Sequence, residues 1–155
     1  MPRYKVMEEW DIDAMVELGA AMHAESAYRD LDYDRDKCFQ LCVRCISYPE
    51  RYFGHCAYEG DELTGMLMGQ VFPYYFGNDL LASDIVWYVR EDKRGSMTGV
   101  RLLNTFRDWA KERGASEICI GVSSALNLDR THKLMSRMGF NHVGGIYKEA
   151  VNVKT

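Results

Sequence analysis

The sequence predicts a mixed α/β fold, with a largely antiparallel central sheet flanked by helices. Three runs rich in β-branched and aromatic residues follow one another before a long helical pattern interrupts them, which favours antiparallel neighbours. Strand and helix patterns then alternate towards the end of the chain. The 155 residues are 47% hydrophobic with no break in composition, enough for one well-buried core and too few for two, so a single domain over residues 1–155 is expected.

Arg3 to Met7 is the candidate first strand. Residues 9–22 carry helical periodicity, with Asp11 or Asp13 placed to cap it. The polar and aromatic stretch from Glu25 to Asp34 breaks that pattern, and Asp34 precedes a second helical stretch ending near Pro49. Tyr52 to Tyr58 and Leu63 to Tyr75 read as strands joined by the hairpin turn Glu59-Gly60-Asp61-Glu62. A strand from about Leu81 to Val89, a helix from Ser96 to Arg113, a strand from Glu117 to Val122 and a helix from Asp129 to Met138 follow. The last segment reads as extended, with Gly144-Gly145 as a hairpin turn or a bulge.

Composition narrows the function. A formal charge of −4 argues against nucleic acid as the main partner and suits a cationic or amine substrate. No run is long enough to span a bilayer, and Met1 to Trp10 lacks the basic-then-apolar order of a secretion signal, so no membrane partner and a cytoplasmic location are expected. Five cysteines are an odd and sparse set, which points to reduced thiols. Cys38, Cys42 and Cys45 share a helical face, but no His or carboxylate completes a ligand set; the stripe reads as core packing, and no metal is expected. Trp10, Trp87 and Trp109 read as packing residues too.

The chemistry concentrates at Arg94-Gly95-Ser96-Met97-Thr98-Gly99, where the aromatic run ending Trp87-Tyr88-Val89 meets a helical pattern. A strand, turn and helix N-terminus at one spot direct unpaired backbone N–H groups and the positive end of the helix dipole at a single point, which suits a phosphate. The Walker-type loop is excluded because Val100 and Arg101 follow Gly99 where Lys and Ser or Thr are needed. The dinucleotide pattern fails as well, with two glycines and no leading βαβ unit.

The stretch from Trp87 to Gly99 resembles the central signature of the GNAT superfamily of acyl-CoA-dependent N-acetyltransferases, whose pyrophosphate loop reads Gln/Arg-x-x-Gly-x-Gly/Ala. Arg94 and Gly99 match its ends, and Met97 stands where the middle Gly is usual. Farther on, residues 131–140 resemble the family's second signature, a short helix ending in Gly-Phe, with Gly139 as left-handed cap and Phe140 entering the next strand. The resemblance implies splayed strands at a cofactor site and acetyl-CoA as co-substrate. Tyr88 and Val89 would line the pantetheine arm, and Arg94, Gly95, Ser96, Met97, Thr98 and Gly99 would take the pyrophosphate. It also implies that the linker between residues 25 and 34 lies over the acceptor.

Acetyl transfer needs a deprotonated amine, a stabilised oxyanion and an acid for the departing thiolate. Asp84 is the candidate base, being the carboxylate inside the strand that leads into the site; the alternative is a solvated residue at the strand entrance. The family's usual acid is a Tyr at the position of Met135, which cannot donate. Either the thiolate leaves without side-chain help or another residue serves; Tyr147 is the replacement singled out, with Ser124 and His132 as further options. Asn127 resembles a loop Asn that contacts the cofactor, or else caps the following helix. The expected activity is acetyl transfer from acetyl-CoA to a primary amine of a small molecule or protein. The alternative is a catalytically silent CoA-binding or protein-interaction module of the same fold. An exposed edge strand leaves room for a homodimer.

Overall fold

The computed structural model describes residues 1–124 and 126–152. Strand β1 (Arg3–Val6) is followed by a 3-10 turn (Glu9–Asp11), helix α1 (Ile12–Glu25) and helix α2 (Arg35–Ser47). Strands β2 (Tyr52–Glu59), β3 (Glu62–Pro73) and β4 (Leu80–Val89) come next. A second 3-10 turn (Glu91–Lys93), helix α3 (Thr98–Glu112), strand β5 (Ala115–Cys119) and helix α4 (Leu128–Arg137) complete the order. The five strands form one sheet in chain order, antiparallel from β1 to β4 and parallel between β4 and β5. Local chemistry accounts for several boundaries. Gly60 takes a left-handed φ of 59° in the two-residue β2–β3 turn, and the Asp34 carboxylate caps α2 by accepting the Lys37 N–H at 3.1 Å. The parallel β4–β5 pair needs a crossover, and α3 is that crossover.

The described residues fall into two compact units, one of Met1–Met22 with Asp34–Gly121, the other of His23–Tyr33 with the described part of Val122–Thr155. In the first, the core has two layers. Met15, Cys42, Cys56 and Met66 are buried where α1 and α2 cover the sheet, with Cys56 Sγ 3.5 Å from Met15 Sδ and Cys42 Sγ 4.0 Å from Met68 Sδ. Burial pushes the thiols of Cys42 and Cys45 up to about 11 and about 12, as expected of packing residues. On the other layer Leu102, Leu103 and Phe106 of α3 are buried with Leu67. Here β3 must lack side chains. A Cβ on Gly69 would lie 2.4 Å from Phe106 Cε1, and one on Gly65 3.0 Å from Thr98 Cγ2, so the two glycines let α3 approach the sheet.

Asp11 does something other than cap α1. It is buried, takes Lys5 Nζ at 2.6 Å and the Tyr58 hydroxyl at 2.6 Å, and accepts the Glu8 N–H at 2.8 Å. Trp10, expected to pack, is 75% exposed beside Lys5, because the 3-10 turn points it outward as Asp11 turns in.

In the second unit α4 buries none of its described residues. It ends as its sequence indicates. Gly139 has φ 89°, the Phe140 N–H reaches Met135 O at 3.0 Å, and the Gly139 N–H reaches Ser136 O at 3.1 Å. The strand expected after Gly139 does not form: residues 140–150 carry neither helix nor strand, and Gly144-Gly145 is neither hairpin turn nor bulge. The turn after α1 is tied by the Ala27 N–H to Ser124 O at 2.9 Å, and Lys148 Nζ sits 4.1 Å above the Tyr28 ring. No helix among the described residues is long and apolar enough to cross a membrane.

Candidate active site

The site begins where two parallel strands part. β4 and β5 pair from Leu80↔Ala115 to Ser83↔Cys119, and β5 ends there while β4 continues to Val89. Over residues 84–89, β4 therefore has β3 on one side and no β5 partner on the other. A bulge at this point sharpens the divergence. Met68 faces Val86 and Gly69 faces Asp84, which leaves Ile85 as the extra residue.

Asp84 stands at the fork. Its Oδ1 accepts the Gly121 N–H at 2.8 Å, so the carboxylate reaches the chain just past β5. Burial pushes its pKa up to about 6, partly offset by the bonds from the Gly121 and Asp84 backbone N–H groups. Asp84 is half-buried, with Oδ1 engaged by the Gly121 N–H rather than left wholly to solvent. Gly121 was not singled out from the sequence, since a contact across 37 positions leaves no local pattern.

Downstream, the turn into α3 is held from several sides. The Arg90 N–H donates to Thr64 O at 2.8 Å, its side chain reaches Asp92 at 2.6 Å and Glu62 at 3.2 Å, and Lys93 pairs with Glu59 at 2.5 Å. Arg94 Nε donates to Val89 O at 3.0 Å, with its guanidinium 5.3 Å from the Tyr88 ring. Gly95 takes the left-handed conformation, φ 88°. The Ser96 hydroxyl donates to Lys93 O at 2.8 Å or to Thr98 Oγ1 at 3.1 Å and accepts weakly from the Thr98 N–H. Trp87 closes the arrangement by donating its indole N–H to Gly99 O at 3.1 Å, a polar role beyond packing.

Met97 fits this turn without strain. It is the N-cap of α3 at φ −80° and ψ 0°, with an exposed side chain that makes no cap bond. The left-handed residue of the loop is Gly95, so position 97 does not require a glycine's conformational freedom. The first turn of α3 thus presents its N–H groups and positive dipole end beside Arg94.

Asn127 and Tyr147 belong to the other compact unit. Asn127 is left-handed, φ 47°, and its side chain does not cap α4; its carbonyl instead accepts the Thr131 N–H and hydroxyl, both at 3.0 Å. Tyr147 is fully exposed in the segment without regular structure. His132 lies 5.3 Å from His142, and the Ser124 hydroxyl accepts weakly from the Leu126 N–H. Among the described residues no group of His, Cys, Asp and Glu is disposed to hold a metal ion.

The model of the acetyltransferase (GNAT) family matches residues 7–140. No curated protein matches the chain. Solved structures do, at low identity. A protein described as a predicted acetyltransferase, with acetyl-CoA, from Clostridium acetobutylicum is 16% identical, with 97% of this chain and 96% of that one covered and a TM-score of 0.78. A ribosomal-protein-alanine N-acetyltransferase from Brucella melitensis biovar Abortus 2308 is also 16% identical, covering 98% and 100%, with a TM-score of 0.72. An aminoglycoside antibiotic 6'-N-acetyltransferase from Acinetobacter haemolyticus gives 16% identity, coverage of 98% and 99%, and a TM-score of 0.72. With a family model spanning most of the chain and a fork of strands leading into a helix N-terminus, the chain belongs to the acetyltransferase (GNAT) family and is an N-acetyltransferase.

Proposed function

We propose that residues 94–99 hold the pyrophosphate of acetyl-CoA, that Tyr88 and Val89 on the unpaired length of β4 line its pantetheine arm, and that Asp84 is the base for a primary amine acceptor. The observation that carries this reading is the Asp84 carboxylate at the fork of β4 and β5, held by the Gly121 N–H at 2.8 Å. Bound acetyl-CoA supplies an acetyl group activated as a thioester. The chain supplies the rest. Backbone N–H groups of Gly95, Met97 and Gly99 and the dipole of α3 favour a phosphate, and Arg94 adds a positive charge at the loop's start. The hydroxyls of Ser96 and Thr98 shape the turn through their mutual bond.

Asp84 has the pKa its task requires. Pushed up to about 6, it is ionised at neutral pH yet basic enough to take a proton from an ammonium, directly or through one water. The acceptor is the primary amine of a small molecule or of a protein.

Initial rates of thiol release from acetyl-CoA, measured from about pH 5 to 9 with an amine panel, test the base. The wild-type rate climbs through about pH 6 as Asp84 ionises. Asp84→Asn lowers the rate on the order of 100-fold and flattens that limb. A variant that keeps the wild-type rate and profile removes Asp84 from the mechanism. In the same assay, saturable binding of acetyl-CoA without thiol release would indicate the silent module instead.

A further inference from the structure

A cleft of about 280 Å³ opens at the far end of α3 from the phosphate loop. It exists because the sheet loses a strand there. β1 stops at Val6, opposite His55, while β2 runs on to Tyr52. At 1.5 Å per residue the 15 residues of α3 span about 22 Å, so the cleft, lined by Trp109 and Arg113, is remote from the loop at Thr98.

The walls are aromatic. Phe53 and His55 stack with ring centroids 4.4 Å apart and planes at 4°, and Trp109 lies 5.6 Å from Phe53. Tyr52, Val6, Cys45 and Pro49 also line it, together with one carboxylate, Glu50, and one guanidinium, Arg113. Among the described residues neither Glu50 nor Arg113 has a side-chain hydrogen bond or ion pair, with each other or with a neighbour. Burial holds His55 down to about 4 and the Cys45 thiol up to about 12, so both are neutral at pH 7. The cleft therefore has no net charge but keeps two opposite, unpaired charges above an apolar floor.

We propose that this cleft is a second binding site, for a free α-amino acid with an apolar side chain. The amino acid's carboxylate takes the planar fork of Arg113, and its ammonium takes Glu50 with the Trp109 face as a further attraction. Its side chain packs on His55 and Tyr52, the half-buried rings of the lining, with Phe53 buried behind His55. A simple anion or cation would leave one of the two charges without a partner. The volume is at the small end for ligand sites, which suits a molecule of this size.

The test uses the full chain without acetyl-CoA, so it does not depend on the transfer chemistry. L-leucine and L-phenylalanine are titrated while the indole N–H resonance of Trp109 is followed by NMR, assigned through Trp109→Phe. The expected result is a saturable shift of that resonance by one or both. Arg113→Gln and Glu50→Gln, both at exposed positions, each weaken binding about tenfold or more. So do 4-methylpentanoate and 3-methylbutylamine, leucine analogues that each lack one charge. No saturable shift by either amino acid up to about 10 mM, a weaker limit than ordinary metabolite sites, overturns the proposal. Equal binding of either analogue, or of leucine to a variant that melts like wild type, overturns it as well. Failure of the Asp84 test leaves this result unaffected.

Discussion

Helices α3 and α4 both follow a loop after a strand and both alternate apolar and charged positions, yet they are held in different ways. α3 buries Thr98, Leu102, Leu103, Phe106 and Ala110, and β3 gives up two side chains, at Gly65 and Gly69, to receive it. α4 buries nothing fully and is defined by its own ends, a left-handed Asn127 before it and the Gly139 turn after it. A helix whose N-terminus is proposed to hold a phosphate gains from the first construction, since the packing of its body fixes where its N–H groups point. The second construction rests on capping bonds of about 1 kcal/mol each. It also leaves the surrounding segment free to differ in sequence without disturbing the loop.

The largest effect that would sharpen this contrast is expected at Phe106. Phe106→Ala removes a fully buried ring from beneath β3 and should cost about 3–5 kcal/mol in denaturant unfolding. A cost below about 1 kcal/mol would break the claim that tertiary packing holds α3. The next effect is at Asp84 and runs the other way. Its folded pKa, about 6, lies above its unfolded value, so the native state binds the extra proton between about pH 4 and 6. Stability should therefore fall as pH rises through that window, by up to about 3 kcal/mol. Asp84→Asn, which can still accept the Gly121 N–H, should remove that dependence and melt higher than wild type at pH 7.5. A lower melting temperature for the variant would show that the carboxylate is stabilising where it sits.

Smaller effects separate the two helices further. Gly139→Ala forces an L-residue into a left-handed turn and should cost about 1 kcal/mol. Hydrogen exchange should show faster opening at residues 134–140 and unchanged protection in α3. Met97→Gly should change stability by only a few tenths of a kcal/mol and leave CoA affinity within about twofold, because the residue already has negative φ and no cap bond. A tenfold gain in CoA affinity would mean that the methionine side chain does obstruct the cradle.

What was legible in the sequence was whatever local chemistry decides. The Glu59–Glu62 hairpin, the Asp34 cap and the Gly139 ending all came through because a turn or cap depends on a few adjacent residues. Helix α3 was legible too, from the spacing of Leu102, Phe106 and Trp109, with its start two residues later than expected because Ser96 and Met97 build the turn. Trp10 was misread since a bulky aromatic promises burial, whereas Asp11 next to it has the buried partners Lys5 and Tyr58. A strand after Phe140 was expected from apolar residues that find no sheet edge to pair with among the described residues.

The sequence by itself determined the order of strands and helices up to the Gly139 turn and the family signature, because each depends on residues adjacent in the chain. Tertiary structure alone decided that β5 leaves β4 at Ser83, that Ile85 bulges and that Asp84 meets Gly121. It also decided that Glu50 and Arg113 share one aromatic cleft. Those contacts join residues tens of positions apart, and the raised pKa of Asp84 comes from burial that only the assembled sheet supplies.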